Sequence, residues 1–389
     1  MWTEPADLLL VATSARALAE SAVRGGFRVQ ILDGFCDQDT RALGPCTRAP
    51  LAALSAGLEP TGLRAALREF GTHGGDCGLV YGAGVESSLA ALAALPAGLR
   101  LLGNDPAVLQ RLQDPERLFG LFDTLGIVYP ETRFMPPPAA DPARWLLKRC
   151  GGSGGLGVAP WRTGDPRPAG PHYFQRFQEG DLMSVIFIAD GRELELIGFS
   201  RLLLADADPR HPFLYGGAIG QAPLAALAAQ TVTGWARSLV GALGLCGLNN
   251  LDFILCAGRP SLLELNPRPS ATMGLYEAQC EGGWIRRHVR ACLGLPAAAP
   301  AGTAASVHGQ RVIYAPLELT IPTALPWPDW CRDRSAAGTL VPRYAPLCTV
   351  LAAGADAAAV ESLLAARAAA ILSLLQRFDP REAPKGYSP

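Results

Sequence analysis

Residues 247–269, which read GLNNLDFILCAGRPSLLELNPRP, decide how the rest of this chain is interpreted. Two short apolar runs separated by a turn at Gly258 predict a β-hairpin. Successive side chains of a strand point to opposite faces, so Glu264 and Asn266 share one face, and Asp252 can lie across from them. Two carboxylates and an amide are unfavourable to bury unpaired, and such oxygen ligands suit Mg²⁺. The hairpin therefore predicts a metal site, against the alternative of solvated residues at strand ends.

The composition excludes several classes of protein. A chain of 389 residues is long enough for two or three domains. Its net charge is −1 and no basic block is present, so we expect no nucleic-acid partner. It lacks a charged leader and any apolar run of about 18 residues, so we expect no secretion signal, no membrane span and a cytoplasmic location. The ten cysteines include no CxxC pair, and the five histidines are dispersed, which favours reduced thiols over disulfides or a zinc site.

Strand-like and helix-like patterns alternate over the first hundred residues, as in a small parallel α/β domain. One of these patterns predicts a long helix over residues 51–70. The sequence GAG at 82–84 predicts a tight turn after a strand. Because GAGVES does not complete a dinucleotide fingerprint, we do not expect a nicotinamide cofactor there.

A second informative stretch is the glycine-rich loop at 151–157, which follows a predicted strand carrying Lys148. Backbone N–H groups of such a loop can approach phosphate oxygens closely, and the lysine adds a positive charge. It is not a Walker loop, because the lysine precedes the glycines. A flexible hairpin tip is the alternative, but the neighbouring candidate Mg²⁺ hairpin favours phosphate binding.

Taken in this order, the segments resemble the ATP-grasp superfamily of carboxylate–amine ligases. The resemblance covers roughly residues 1–300, including a hinge segment at 173–180 and the ending ELNPR at 264–268. It implies an α/β (α+β) ATP-grasp fold with a Rossmann-like domain at 1–103, an ATP-grasp domain at 104–300 and a small C-terminal domain at 301–389. A small-residue segment at 296–305 is the expected linker.

The resemblance also implies a role for each matching residue. Lys148 would contact the α- and β-phosphates of ATP, and Arg268 and Arg201 would hold the substrate carboxylate or the transferred phosphoryl group. The metal ligands for Mg²⁺, or Mn²⁺ in its place, would be Asp252, Glu264 and Asn266. The remaining nucleotide-binding residues would be those of the glycine loop, the hinge and the ribose site: Gly152, Ser153, Gly154, Gly155, Gln175, Arg176, Phe177, Gln178, Glu179 and Asp181.

Two departures from the family pattern bear on nucleotide binding. Related enzymes usually carry an Asp-Lys pair early in the helical linker, where this chain has Asp114 followed by proline. Arg111 or Arg117 could replace that lysine. The usual ribose glutamate falls at or near Leu182. Both departures leave open a nucleotide-binding scaffold without turnover.

The chemistry implied by the resemblance is ADP-forming C–N ligation. Phosphorylation turns a carboxylate into an acyl phosphate, and an amine then displaces phosphate to form an amide. Such transfer needs mainly positioning and charge neutralisation, so no side-chain nucleophile is required. The chain looks most similar to the tyramine–glutamate ligase group of methanofuran-type cofactor synthesis, in one-carbon metabolism. A carboxylase-like or purine-type enzyme is the alternative. The expected partners are a small-molecule carboxylate and amine, and a homodimer is also open.

Overall fold

The computed structural model describes residues 3–53, 57–71, 76–141, 143–167, 169–205, 207–296, 302 and 306–377. The first part of the chain forms a parallel sheet in the order β3-β2-β1-β6-β7. Its elements are β1 (Asp7–Ala12), α1 (Arg16–Arg24), β2 (Arg28–Asp33), α2 (Gln38–Arg41), β3 (Cys46–Arg48), β4 (Leu51–Ala53), β5 (Gly57–Leu58), α3 (Pro60–Gly71), β6 (Cys77–Tyr81), α4 (Leu89–Leu92) and β7 (Leu99–Leu101).

The central strand β1 shows why a parallel sheet forms here. Leu8, Leu9 and Leu10 are all buried, so both faces of the strand are covered and its sequence is continuously apolar. The helix predicted over 51–70 is wrong at its start. Residues 51–53 and 57–58 pair as two short antiparallel strands, and the helix begins at Pro60, whose fixed φ suits a first helical turn.

The middle of the chain begins with two short helices, each entered from an aspartate followed by proline. The Asp105 carboxylate accepts a hydrogen bond from the amide of Ala107, and the Asp114 carboxylate accepts one from Arg117, so both act as helix caps. An antiparallel sheet in the order β10-β9-β11-β8 follows. These elements are α5 (Pro106–Leu112), α6 (Pro115–Thr124), β8 (Thr132–Arg133), β9 (Trp145–Arg149), β10 (Val158–Trp161) and β11 (His172–Arg176).

A larger antiparallel sheet, in the order β16-β15-β12-β13-β14-β17-β21-β19, joins the middle of the chain to its C-terminal part. Helix α7 buries Leu239 and Val240 against it. The elements are β12 (Asp181–Asp190), β13 (Leu194–Leu204), β14 (Tyr215–Ile219), α7 (Ala226–Leu243), β15 (Cys246–Cys256), β16 (Arg259–Asn266), α8 (Trp284–Cys292), β17 (Val307–Tyr314), β18 (Leu319–Thr320), β19 (Cys331–Arg332), β20 (Leu340–Val341), β21 (Pro346–Gly354) and α9 (Ala357–Arg377). The α/β fold class is thereby confirmed.

The division at 103 and 300 stays a prediction, and most of the expected linker at 296–305 lies outside the described residues. Strand β17, which follows that segment, pairs with β14 and carries the sheet onward. In the part of the chain that the structure describes, the segment Ala357–Gln376 is long and apolar enough to cross a membrane by length and composition. In this fold it packs on the sheet and buries Val360, Leu364 and Ile371.

Candidate active site

The floor of the candidate site is the β15–β16 hairpin. Its register places Asp252 opposite Glu264 and Asn250 opposite Asn266, with a bulge after Asp252. The Asp252 Oδ2 atom accepts a hydrogen bond of 3.1 Å from the amide nitrogen of Asn266. The predicted hairpin is thus present, and its two carboxylates face the same cleft.

The two carboxylates repel each other. Burial and the charge of Glu264 raise the pKa of Asp252 to about 7, although Ser184, Arg268 and Lys148 act in the opposite direction. Solvent reaches Glu264 through the cleft, yet the protein around it raises the pKa of this carboxyl as well. A pair of close carboxylates with raised pKa values would be stabilised by a cation placed between them.

This donor set fits a hard divalent cation. Among the described residues no group of three or more His, Cys, Asp and Glu side chains could hold a metal, so the candidate rests on two carboxylates and an amide. Mg²⁺ often takes only one or two protein carboxylates, with water and substrate phosphates completing its shell. Asn266 presents its nitrogen to Asp252 and its oxygen to Arg268. It would have to turn its amide to offer the oxygen to a metal.

Arg268 joins the hairpin to the first sheet. Its guanidinium is buried, and its Nε donates to the carboxylate of Glu86. Its Nη2 donates to Asn266 Oδ1 over 3.0 Å. Glu86 also accepts the amide N–H of Gly84 at 2.6 Å. Glu86 is the glutamate of the GAGVES stretch, and the sequence analysis did not predict it as a site residue.

Lys148 lies on β9 at the other wall of the cleft. Its Nζ donates to Gln175 Oε1 over 3.1 Å and lies 5.6 Å from the centre of the Tyr173 ring. Burial lowers the pKa of Lys148, and the charges of Glu264 and Asp252 oppose that effect. The lysine and the carboxylate pair are therefore electrostatically coupled across one cavity.

The glycine loop between β9 and β10 lies against the segment at 213–215. The carbonyl of Gly154 accepts the amide of Tyr215 over 2.9 Å. Gly155 has φ +77°, and a Cβ at that position would lie only 1.8 Å from the carbonyl oxygen of Phe213. Only glycine permits both this backbone conformation and this close approach.

The hinge segment lines the cleft from Gln175 through Gly180. The amides of Arg176 and Phe177 already donate to the carbonyls of Glu131 and Arg144, at 2.8 and 2.7 Å. Recognition of adenine by these two N–H groups would therefore have to displace those bonds. The guanidinium of Arg144 lies 4.0 Å from the centre of the Phe177 ring and closes the outer side of the hinge.

Several residues singled out in the sequence do not lie in the cleft. Arg201 donates to Glu361 on α9 over 2.6 Å and is not among the cleft-lining side chains, so its position does not support contact with substrate. Asp181 is exposed on β12 outside the lining, whereas Glu179 and Leu182 do line it. Arg111 and Arg117 flank a separate cavity of about 300 Å³ and do not replace the missing lysine in the cleft.

The cleft has a volume of about 740 Å³, within the usual range for small-molecule sites. One end holds the glycine loop, Lys148 and the hinge, and the carboxylate hairpin forms its middle. The other end is lined by residues of the first sheet and of the C-terminal strands, namely Ser14, Arg16, Phe35, Asp37, Asp333, Ser335, Leu347 and Thr349. Sequence reasoning did not single out this second end.

Comparison with known proteins gives one family match and several similar folds. Residues 117–272 match the family described as ATP-grasp domain. The fold is similar to N5-carboxyaminoimidazole ribonucleotide synthetase from Thermus thermophilus, with 16% identity, a TM-score of 0.67 and coverage of 97% of this chain and 100% of that one. It is also similar to an L-amino acid ligase from Bacillus licheniformis, with 12% identity, a TM-score of 0.67 and coverage of 93% and 97%.

A third similar structure is the biotin carboxylase domain of 2-oxoglutarate carboxylase from Hydrogenobacter thermophilus, crystallised with MgADP and bicarbonate. It shares 12% identity at a TM-score of 0.68, and the match covers 91% of this chain and 87% of that one. No curated protein matches the chain by sequence. At these identities the likeness concerns the fold alone, and the ATP-grasp resemblance is confirmed by the domain match over residues 117–272.

Proposed function

We propose that this chain, whose residues 117–272 match the ATP-grasp domain family, is an ADP-forming ligase that joins a carboxylate to an amine through an acyl phosphate. One observation carries the proposal: Asp252 and Glu264 lie opposite each other on the floor of a single cleft that also holds Lys148 and Arg268. Two carboxylates and two cations around one cavity suit phosphoryl transfer, which depends mainly on positioning and charge compensation.

Each residue has a part in this chemistry. Lys148 holds the nucleotide phosphates, because it is a cation in a largely desolvated wall under the glycine loop. Asp252 and Glu264, with Asn266 after its amide turns, would hold Mg²⁺, for which Mn²⁺ could substitute. The bound metal would neutralise phosphate charge. Arg268 stabilises negative charge on the phosphoryl group, and its ion pair with Glu86 fixes its orientation.

Water must be kept from the acyl phosphate, which it would hydrolyse. Leu156 in the glycine loop and Leu214 in the segment beneath it both line the cleft and provide apolar cover. The amine attacks the acyl carbon, the C–N bond forms, phosphate departs with the bonding electrons, and the amine loses a proton. ADP, phosphate and an amide are the products.

The finer assignment rests on the sequence resemblance alone. This assignment is a cytoplasmic ligase of the tyramine–glutamate type, active in methanofuran-, methylofuran- or pterin-type cofactor synthesis linked to one-carbon metabolism. It acts on small-molecule substrates, and a homodimer is an open alternative to a monomer. The L-amino acid ligase among the similar structures supports an amino acid as one substrate class.

A carboxylase-like reaction is the second candidate. The synthetase from Thermus thermophilus and the biotin carboxylase domain match 97% and 91% of this chain. Bicarbonate would then take the place of the organic carboxylate. A nucleotide-binding scaffold without turnover is the third candidate, favoured by Leu182 and by the capping role of Asp114.

The deciding experiment is an ADP-release screen with Mg·ATP against amino acids, bicarbonate and amines, followed by mass spectrometry of the products. ADP release that needs both a carboxylate and an amine, with an amide product, supports the ligase. Release that needs bicarbonate supports the second candidate. Tight ATP binding with no release under any pair supports the scaffold.

A further inference from the structure

The end of the cleft opposite Lys148 contains a group of acidic side chains from two distant parts of the chain. Asp33 ends strand β2, Asp37 and Asp39 follow it, and Asp333 comes after strand β19. Arg16, on α1, is the cation among them. All of these acidic side chains except Asp333 are more than nine-tenths buried.

Three of the four carboxylates have hydrogen-bond partners that explain their burial. Asp33 accepts the amides of Ala15, Phe35 and Cys36 at 2.6 to 2.7 Å. Asp39 accepts the amides of residues 333 and 334 at 2.9 and 3.0 Å. Asp333 accepts Nε of Arg16 at 2.7 Å. These three groups are structural, and two of them, Asp39 and Asp333, also pair with the guanidinium of Arg16.

Asp37 differs from the other three. Its side chain is 8% exposed and lines the cleft, and no hydrogen bond or ion pair to its carboxylate occurs among the described residues. It precedes the short helix α2, yet it makes no capping bond to that helix. A buried carboxylate without a partner is strongly destabilising unless it takes up a proton or a ligand supplies a partner.

The charge around Asp37 decides the sign of that ligand. The charged groups that act on it from β2, α2, the loop after β19 and α1 are Asp33, Asp39, Asp333 and Arg16. Burial first, and then the charges of Asp333, Asp33 and Asp39, raise the pKa of Asp37 to about 8, with Arg16 opposing. Such surroundings repel a carboxylate or phosphate and attract a cation.

We propose that Asp37 anchors the ammonium group of the amine substrate at this end of the cleft. The proposal rests on the proposed ligase function and names its specificity determinant. The Asp37 carboxylate accepts hydrogen bonds from the ammonium, and the surrounding aspartates reject anionic amines. Ser335 also lines the cleft, and its hydroxyl donates to the carbonyl of Leu347.

The first test measures binding without turnover. Wild type and Asp37→Asn, each with Mg·ADP, are titrated with n-butylammonium chloride and with n-butanol at pH 6, 7 and 8 by ligand-detected NMR. We expect wild type to bind the ammonium about 10–100-fold more tightly than the variant. Because a proton competes for the same carboxylate, affinity in the wild type should rise towards pH 8 and stay flat in the variant. Equal binding by the two proteins overturns the proposal.

The second test separates this proposal from the ligase function. With the carboxylate found in the screen, hydroxylamine, which is largely uncharged at neutral pH, traps the acyl phosphate as a hydroxamate. Asp37→Asn should keep hydroxamate formation within about twofold while raising the KM for the cationic amine about tenfold or more. An equal loss with both nucleophiles overturns the ammonium assignment. No hydroxamate from wild type, together with ammonium binding in the first test, overturns the ligase function instead.

Thermal unfolding checks that the variant is folded and that Asp37 lacks a partner. Its pKa lies above the unfolded value of 3.8, so between pH 4 and pH 8 the unfolded chain loses a proton that the native state retains. Wild-type stability therefore falls over this range, and Asp37→Asn should have a Tm that is higher by an amount growing with pH. Asp190→Asn, an exposed carboxylate at the remote end of β12, is the control. A lower Tm for Asp37→Asn overturns the proposal.

Discussion

The two ends of the cleft handle charge in different ways. Around the carboxylate hairpin, the charges of Lys148 and Arg268 partly offset the burial that raises the pKa values of Asp252 and Glu264, and Glu86 pairs with Arg268. At the far end, Arg16 is surrounded by a larger number of carboxylates. The first end can accept a nucleotide together with its metal, whose charges partly cancel. The second end carries negative charge that a proton or a cationic ligand neutralises.

The largest expected effect tests the first end at its carboxylate pair. Glu264→Gln removes one of the two facing charges while keeping the shape of the side chain. We expect ADP release to fall by at least about 100-fold, because charge compensation of the transferred group depends on this pair. Steady-state ADP assays measure it, with Asp190→Asn as the control on the same sheet. Normal turnover by the glutamine variant would remove Glu264 from the metal site.

A smaller effect is expected at Lys148. Lys148→Ala should weaken binding of Mg·ATP by about 10–100-fold, because a half-buried ammonium no longer contacts the phosphates. Calorimetric titration of ATP measures the affinity directly. If the affinity is unchanged, the nucleotide phosphates lie elsewhere, and the contrast between the two ends loses its basis.

The glycine loop allows a matched pair of variants. Gly154 and Gly155 both have positive φ, but a Cβ at Gly154 meets nothing within 4 Å, whereas one at Gly155 would clash with the Phe213 carbonyl. Both alanine variants therefore carry the same kind of backbone strain. Only Gly155→Ala also moves the glycine loop away from Phe213. We expect its ATP affinity to fall about fivefold more than that of Gly154→Ala. Equal affinities would show that the contact at Phe213 does not matter for binding.

The smallest effect is expected at Arg201, which belongs to neither end. Its guanidinium pairs with Glu361 on α9, and both side chains are partly exposed. Arg201→Gln should change kcat/KM by less than about twofold and stability by less than about 1 kcal/mol. Steady-state kinetics and thermal melts measure both quantities. A loss of a hundredfold in kcat/KM would restore the catalytic role that the family resemblance implied.

The contrast between the ends also explains what the sequence could predict. The hairpin register followed from strand parity, because a one-residue slip would bury Glu264 and expose Leu265. The Lys148 loop was visible because its glycines are adjacent in sequence. The far end was not predictable in this way, since Asp37 lies in a short connection without periodicity and Asp333 is brought to it by strand β19 from almost 300 residues later. The sequence pattern also does not show that the Asp114 carboxylate caps a helix by accepting the amide of Arg117.

The two ends of the cleft are built from separate segments of the chain. This separation has a consequence for how such a protein can diversify. Nucleotide handling is encoded between Trp145 and Arg268, while the acidic end is encoded by the first fifty residues and by the segment around Asp333. Substitutions in one set leave the contacts of the other intact. A lineage can therefore exchange the amine it accepts while the energy-supplying half of the reaction stays unchanged.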